Sequence, residues 1–163
     1  METTVYVALG SNLGDRHANI RLAIARLADL AVGAVEASSM YETDPQEMED
    51  DAGMFVNAAA RFRTALEPRT LLAALQKIEA DLGRPPDHGF NTSRTIDLDL
   101  IAFGDRIISE AGLEVPHPRA ADRVFVLMPL AEIDSGLRLP GTKGTVREML
   151  RSILERGESG ADC

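Results

Sequence analysis

SRTIDLDLIAFG, residues 93–104, carries two interleaved patterns. Ile96, Leu98, Leu100 and Ala102 form an apolar alternating set, and Thr95, Asp97, Asp99 and Ile101 form the other. Successive side chains of a β-strand point to opposite faces, so the first set can meet a core while both carboxylates face away from it together. At about 3.3 Å of rise per residue, the two aspartate Cα atoms lie roughly 6–7 Å apart. Like charges at that separation disfavour each other unless a cation lies between them.

Working outward, TVYVAL (4–9) is a valine-rich apolar run that ends in the turn-forming cluster GSNLGD. It predicts a buried strand followed by a loop. Ile20, Ala23, Ile24, Leu27, Leu30 and Ala31 recur at helical spacing, with Asp15 as the N-cap of a helix over 15–31. AVEASSMYET (34–43) alternates loosely as a strand, and DPQEMEDDAG (44–53) is an acidic loop. MFVNAAARFR (54–63) is a second alternating strand, with Met54, Val56, Ala58, Ala60 and Phe62 on one face and Phe55, Asn57 and Arg61 on the other. Pro68 suits a first helical turn, Leu71, Leu72, Leu75, Ile78 and Leu82 make the stripe, and Gly83 is the stop.

The loop GRPPDHGFNTS (83–93) then leads into the opening strand. The order strand, helix, strand, strand, helix, strand is the ferredoxin-like plan, an antiparallel sheet with helices on one face. Further helices are expected within 119–133 and 145–155, and the tail 157–163 is expected to fray. With the apolar sets turned to the helices, Phe55, Asn57, Asp97 and Asp99 project from the open face of the sheet, and Ile101 and Phe103 share it.

The totals narrow the functional classes. A chain of 163 residues, 45% hydrophobic and 26% charged, fits one globular domain spanning 1–163. Net charge is −9, and lysine occurs only at Lys77 and Lys143. Such a chain is a poor candidate for nucleic-acid binding, although its arginines suit bidentate phosphate contacts. An RNA-binding module would also use an open sheet face, but it calls for basic charge and exposed aromatics, and this chain is acidic, 4% aromatic and without tryptophan. Cys163 is the single cysteine, so no intrachain disulfide is available. METTVYVALG lacks the pattern of a signal peptide, and no run reaches the roughly 18 apolar residues of a membrane helix. The expectation is a cytoplasmic monomer with no membrane partner.

For the aspartate pair, the bland reading is a solvated sheet face, and the apolar neighbours weaken it. The sharper reading is a hard cation such as Mg²⁺, held by one or two carboxylates and by substrate phosphates. Arg84 and Arg94 flank the loop before the aspartates and Arg123 follows them, which suits an anionic ligand. Gln76 and Glu79 share a helix face by spacing alone, and the spacing favours plain solvent-facing residues. His117, between two prolines, sits on a stiff segment as a possible phosphate donor. GSNLG is no complete phosphate loop and reads as a turn.

ALGSNLGDR (8–16), FVNAA (55–59), QKIEADLGR (76–84), RTIDLDLIAFG (94–104) and VPHPRAADRVFVLMPL (115–130) occur in this order. Together they closely resemble the 6-hydroxymethyl-7,8-dihydropterin pyrophosphokinase family of folate biosynthesis, over about residues 4–155. The resemblance implies attack of the pterin hydroxymethyl group on the β-phosphorus of ATP, with AMP as the leaving group. It implies that Asp97 and Asp99 bind two Mg²⁺ ions, that Arg84 and Arg94 hold phosphates from a mobile loop, and that Gln76, Glu79, His117 and Arg123 line the ATP side. Asn57 would read the pterin amide edge, Phe55 and Phe125 would sandwich the ring, and backbone near Thr43 and Gln46 would complete the pocket.

The chain departs from the family pattern at Pro86, where an arginine is common, and at Asn91-Thr92-Ser93, where Trp-Gly-Pro is common. Phe55 and Pro118 each stand where tyrosine is frequent. The altered loop keeps a second expectation open, a non-catalytic relative that binds pterin or nucleotide.

Overall fold

The computed structural model describes residues 2–43, 55–83, 95–142 and 144–160. The chain order is β1 (Thr3–Ser11), α1 (Arg16–Leu27), β2 (Glu36–Ala37), β3 (Tyr41–Thr43), β4 (Phe55–Thr64), α2 (Pro68–Asp81), β5 (Asp97–Phe103), β6 (Ile108–Glu110), β7 (Leu113–Val115), α3 (Val124–Asp134) and α4 (Val146–Gly160). The main sheet runs β2-β4-β1-β5 with β3 also on β4, and every pairing is antiparallel. β6 and β7 form a separate hairpin.

Local chemistry accounts for the element ends. Asp15 accepts the Ala18 N–H at 3.1 Å and caps α1, while Pro68 opens α2. Gly83, at φ +112°, lies just beyond α2 in a conformation that favours glycine. The helix expected over 15–31 ends its α portion at Leu27 and continues as one 3₁₀ turn, Ala28–Leu30. The strand expected over 34–43 is two short pieces. α4 continues to Gly160, into the stretch expected as tail.

One face of the sheet carries the first core. Val5, Val7 and Leu9 of β1, Val56, Ala58, Ala60 and Phe62 of β4, and Leu98 and Leu100 of β5 pack on Ile20, Ala23 and Leu27 of α1 and Leu71, Leu75 and Ile78 of α2. Each fully buried leucine or isoleucine there contributes roughly 1.5–3 kcal/mol. Truncating Leu71 to alanine removes packing between α2 and the sheet and costs about 2–5 kcal/mol. Arg26 and Asp81, 2.9 Å apart, join α1 to α2 at the rim.

Two expectations need correction. First, helices cover both faces. Tyr6, Ala59, Ile101 and Ala102 form a second core with Val126, Leu127 and Leu130 of α3 and Val146 of α4. These sheet residues are apolar on the face that was expected to be open, so the C-terminal helices close that half of it. Second, the alternation along β5 breaks. Val7 pairs with Leu100 but Tyr6 pairs with Ala102, which leaves Ile101 as an extra residue in β5. Such a bulge reverses the alternation beyond it. Ala102 therefore joins the second core and Phe103 the first, the opposite of the period-2 expectation.

Tyr6 anchors the second core. Its hydroxyl donates to Asp134 Oδ2 at 2.6 Å, and Arg61 reaches Asp134 at 3.3 Å and Glu36 at 2.6 Å. Burial first, then the neighbouring carboxylate, push the Tyr6 phenol up to about 12. No helix among the described residues is long and apolar enough to cross a membrane.

Candidate active site

The half of the second face that α3 and α4 leave uncovered is organised by register. Asn57 of β4 pairs with Gly10 of β1, and Gly10 pairs with Asp97 of β5. Tyr41 of β3 extends the row on the other side of Asn57. The next row, toward the covered half, is Ala59, Ala8 and Asp99, in which Ala59 already belongs to the second core and Ala8 packs against it. Directly paired residues share a face, so Asn57, Asp97 and Asp99 project together. With adjacent strands about 4.8 Å apart, Asn57 and Asp97 are separated by roughly 10 Å, with a glycine between them.

That glycine lies inside the strand rather than in the turn expected for GSNLG, because β1 continues to Ser11. A Cβ placed on Gly10 would lie 3.2 Å from Asn57 Oδ1 and 3.6 Å from the Phe55 ring. The amide and the aromatic ring therefore lean over Gly10 into space a side chain would fill. The sequence signal was available: a glycine in a valine-rich strand marks a close approach. Beyond the strand, Asn19 Nδ2 donates to Ser11 Oγ at 3.2 Å and Leu13 O at 2.9 Å, tying the turn to α1.

Asp97 and Asp99 are half-buried and stand opposite Gly10 and Ala8, the two smallest residue types. Two carboxylates on alternate positions are an all-oxygen donor set and fit a hard divalent ion that keeps substrate and water oxygens. Among the described residues no cluster of three His, Cys, Asp or Glu side chains forms a closed metal cage.

Glu79 departs from the solvent-facing reading. It is 8% exposed, and its Oε2 accepts the Leu98 backbone N–H at 2.7 Å. β5 is an edge strand whose outer N–H groups need partners. Glu79 supplies one from α2 at the residue between the two aspartates. Gln76, one turn earlier on α2, is exposed.

His117 follows β7 and is half-buried. Its backbone N–H donates to Ile101 O at 2.9 Å, and its Nδ1 accepts the Arg119 N–H at 3.2 Å. In the neutral ring that leaves the proton on Nε2. Burial, then the Arg123 charge, hold the imidazole below its usual range, against an opposing pull from Asp97. Arg123 precedes α3, with its guanidinium carbon 5.6 Å from the centre of the half-buried Phe125 ring.

Thr43 pairs through its backbone with Phe55. Gln46, Arg84 and Arg94 lie outside the described residues, as does Met54. Glu132 was not singled out from the sequence; it binds Ser39 and Tyr41 across more than ninety residues, and no local pattern signals such a pairing.

A cavity of about 650 Å³ opens elsewhere, lined by Thr4, Val32, Arg61, Arg63 and Leu137 among others. Its arginines are matched by carboxylates, Arg61 with Glu36 and Asp134 and Arg63 with Glu2, and neither Asp97 nor Asp99 lines it.

Fold and site together define a mixed α/β enzyme domain whose polar residues gather at one end of an antiparallel sheet. Residues 6–135 match the family described as 7,8-dihydro-6-hydroxymethylpterin-pyrophosphokinase (HPPK). The chain belongs to this family, the pyrophosphokinases of folate biosynthesis. The 2-amino-4-hydroxy-6-hydroxymethyldihydropteridine pyrophosphokinase of Bacillus subtilis is 46% identical over 134 residues, 82% of this chain and 79% of that protein. The protein of that name from Haemophilus influenzae is 38% identical over 153 residues, 93% of this chain and 94% of its own length. The folic acid synthesis protein fol1 of Pneumocystis carinii is 38% identical, and the chain spans only 20% of it. A crystal structure of a Plasmodium falciparum HPPK-DHPS triple mutant superposes with a TM-score of 0.80 at 14% identity, over all of this chain and 46% of that one. At that identity the likeness is one of fold alone.

Proposed function

We propose that this chain transfers the pyrophosphoryl group of ATP to the hydroxymethyl group of 6-hydroxymethyl-7,8-dihydropterin in a Mg²⁺-dependent reaction. The observation that carries the reading is the Asn57–Gly10–Asp97 row, which joins an amide and an aromatic ring to a carboxylate pair across a glycine. The reading takes the fold as ferredoxin-like, and the strand order with β1 and β4 central supports it.

Asn57 hydrogen-bonds the amide edge of the pterin, and Phe55 and Phe125 hold its ring between two aromatic faces. Backbone near Thr43 and Gln46 closes that pocket. The ring lies across Gly10, where the absence of a side chain lets its hydroxymethyl arm approach the aspartates. Asp97 and Asp99 would hold Mg²⁺, which would supply neutralisation of charge on the triphosphate oxygens. Arg84, Arg94 and Arg123 hold phosphate oxygens, and the neutral His117 donates from Nε2. Gln76 contacts the nucleotide. Glu79 lines that side and fixes the β5 backbone between the two metal ligands.

The hydroxymethyl oxygen forms a bond to the β-phosphorus, the bond from that phosphorus to the oxygen bridging the α-phosphate breaks, and AMP departs with the bridging oxygen. The hydroxyl proton is released to solvent. No covalent enzyme intermediate is required, and the rate comes from positioning and charge neutralisation.

The test incubates the full chain with ATP, MgCl₂ and the dihydropterin and separates the products chromatographically. AMP and pterin diphosphate are expected in equal amounts. ADP in place of AMP overturns the β-attack. Tight ATP binding with no AMP favours the non-catalytic binding reading.

A further inference from the structure

We propose that Glu132 is a positioning residue that holds the two aromatic walls of the pterin slot at their working separation, through Ser39 and Tyr41. The proposal rests on the pterin reading of the site and assigns a role to a residue outside it.

The linkage can be followed bond by bond. Glu132 Oε1 accepts the Ser39 hydroxyl at 2.7 Å and the Tyr41 hydroxyl at 2.6 Å. The Ser39 backbone N–H reaches Oε1 at 3.1 Å and Oε2 at 3.0 Å. Ser38, one residue earlier, is fastened to β4: its N–H donates to Ala59 O at 2.9 Å, and its hydroxyl accepts the Ala59 N–H at 2.9 Å. Tyr41 pairs with Asn57 and Thr43 with Phe55. The 38–43 segment is thus bound to the strand that carries Asn57 and Phe55.

The other end of the linkage is α3. Phe125 and Glu132 are seven residues apart, two turns of helix, so they share a face about 10 Å apart along the axis. One wall of the slot, Phe55, stands on β4, and the other, Phe125, stands on α3. Among the described residues the carboxylate of Glu132 is the polar tie that joins the 38–43 segment to that helix. Hydrogen bonds to an ionised acceptor are stronger than neutral ones. The Tyr41 hydroxyl, then Ser39, hold the Glu132 carboxyl below its usual range, so it is ionised when the tie is made.

Glu132 is bound to Ser39 and Tyr41, and the proposal gives it no substrate contact, so its loss is expected to act on the slot rather than on the phosphates. Glu132→Ala is expected to raise KM for the pterin and the Kd of 6-hydroxymethylpterin, read by its fluorescence, about three- to tenfold, the equivalent of one or two hydrogen bonds. KM for ATP should stay within about twofold. Glu132→Gln keeps an oxygen for the two hydroxyls and should recover part of the affinity, and Tyr41→Phe should lose part of it. Glu132 is exposed and Tyr41 half-buried, neither belongs to the buried core, and circular dichroism checks the fold of each variant. An unchanged pterin Kd in Glu132→Ala overturns the proposal. So does an equal rise in both KM values, which marks general loosening. If the wild type binds 6-hydroxymethylpterin but releases no AMP, the catalytic reading fails while the positioning role is still decided by binding. If the wild type does not bind it, both fail.

Discussion

The Arg123 guanidinium carbon lies over the Phe125 ring, 5.6 Å from its centre, joining a proposed phosphate ligand to a proposed wall of the pterin slot. A cation over an aromatic face contributes about 0.5–1 kcal/mol at an exposed site. Arg123→Lys keeps the charge but replaces the planar guanidinium over the ring with a more strongly hydrated ammonium. It should raise KM for the pterin about two- to fivefold in steady-state assays. Phe125→Ala should raise it by at least about tenfold, since it removes the wall itself.

Gly10 separates the amide from the carboxylates. A methyl group there would stand 3.2 Å from Asn57 Oδ1, closer than ordinary contact, and 3.6 Å from Phe55. Gly10→Ala should therefore weaken pterin binding by about an order of magnitude and leave ATP binding intact, with Gly10→Val worse; overpacking costs of about 1–3 kcal/mol set the scale. Titration calorimetry with each substrate separately reads the difference.

Glu79 and Leu98 make a buried contact at 2.7 Å. Glu79→Ala leaves that N–H without its acceptor and should cost about 1–3 kcal/mol. The melting temperature should fall by roughly 2–4 °C for each kcal/mol. Glu79→Gln, which retains an acceptor oxygen, should recover most of the melting temperature.

The metal-binding role proposed for the carboxylate pair predicts a dependence on Mg²⁺. Asp97→Asn or Asp99→Asn should lower kcat/KM by about 10²-fold or more, since a Lewis-acid metal is worth several kcal/mol. Chelation with EDTA should remove AMP release and excess MgCl₂ restore it, with the far-ultraviolet circular dichroism unchanged throughout. Full turnover in the presence of chelator would refute the assignment.

His117 gives a sign-defined pH dependence. Its folded pKa lies below the usual 6.5, chiefly through burial and then through Arg123. Between the two values the unfolded chain binds more protons than the folded one, so stability rises with pH across that window. The contribution is complete above the unfolded pKa and is lost as pH falls toward the folded one. Melting temperatures from pH 5 to 7.5 should show this slope, and it should be smaller in His117→Gln. An imidazole signal titrating above 6.5 would contradict it.

Period-2 and 3.6-residue patterns are written in neighbouring residues, and they were legible. The strands at β1, β4 and β5, the α2 stripe closed by Pro68 and Gly83, the Asp15 cap and the shared face of Asp97 and Asp99 all follow from local stereochemistry. The ordered motifs, RTIDLDL and VPHPR above all, carried the family. The bulge at Ile101 was not legible, because an inserted residue is defined only against the strand it pairs with. Its consequence, Phe103 in one core and Ala102 in the other, reversed a local expectation.

The sequence alone determined which residue types were available for the chemistry and which of them lay on one side of a strand. Tertiary structure decided what stood opposite them: Gly10 between Asn57 and Asp97, Glu79 turned inward to the edge of β5, α3 laid over half of the second face, and Glu132 bound to a segment more than ninety residues away. The physical reason is that backbone periodicity is a property of consecutive residues, whereas burial, register and hydrogen-bond partnership between distant segments are set only when the whole chain has packed.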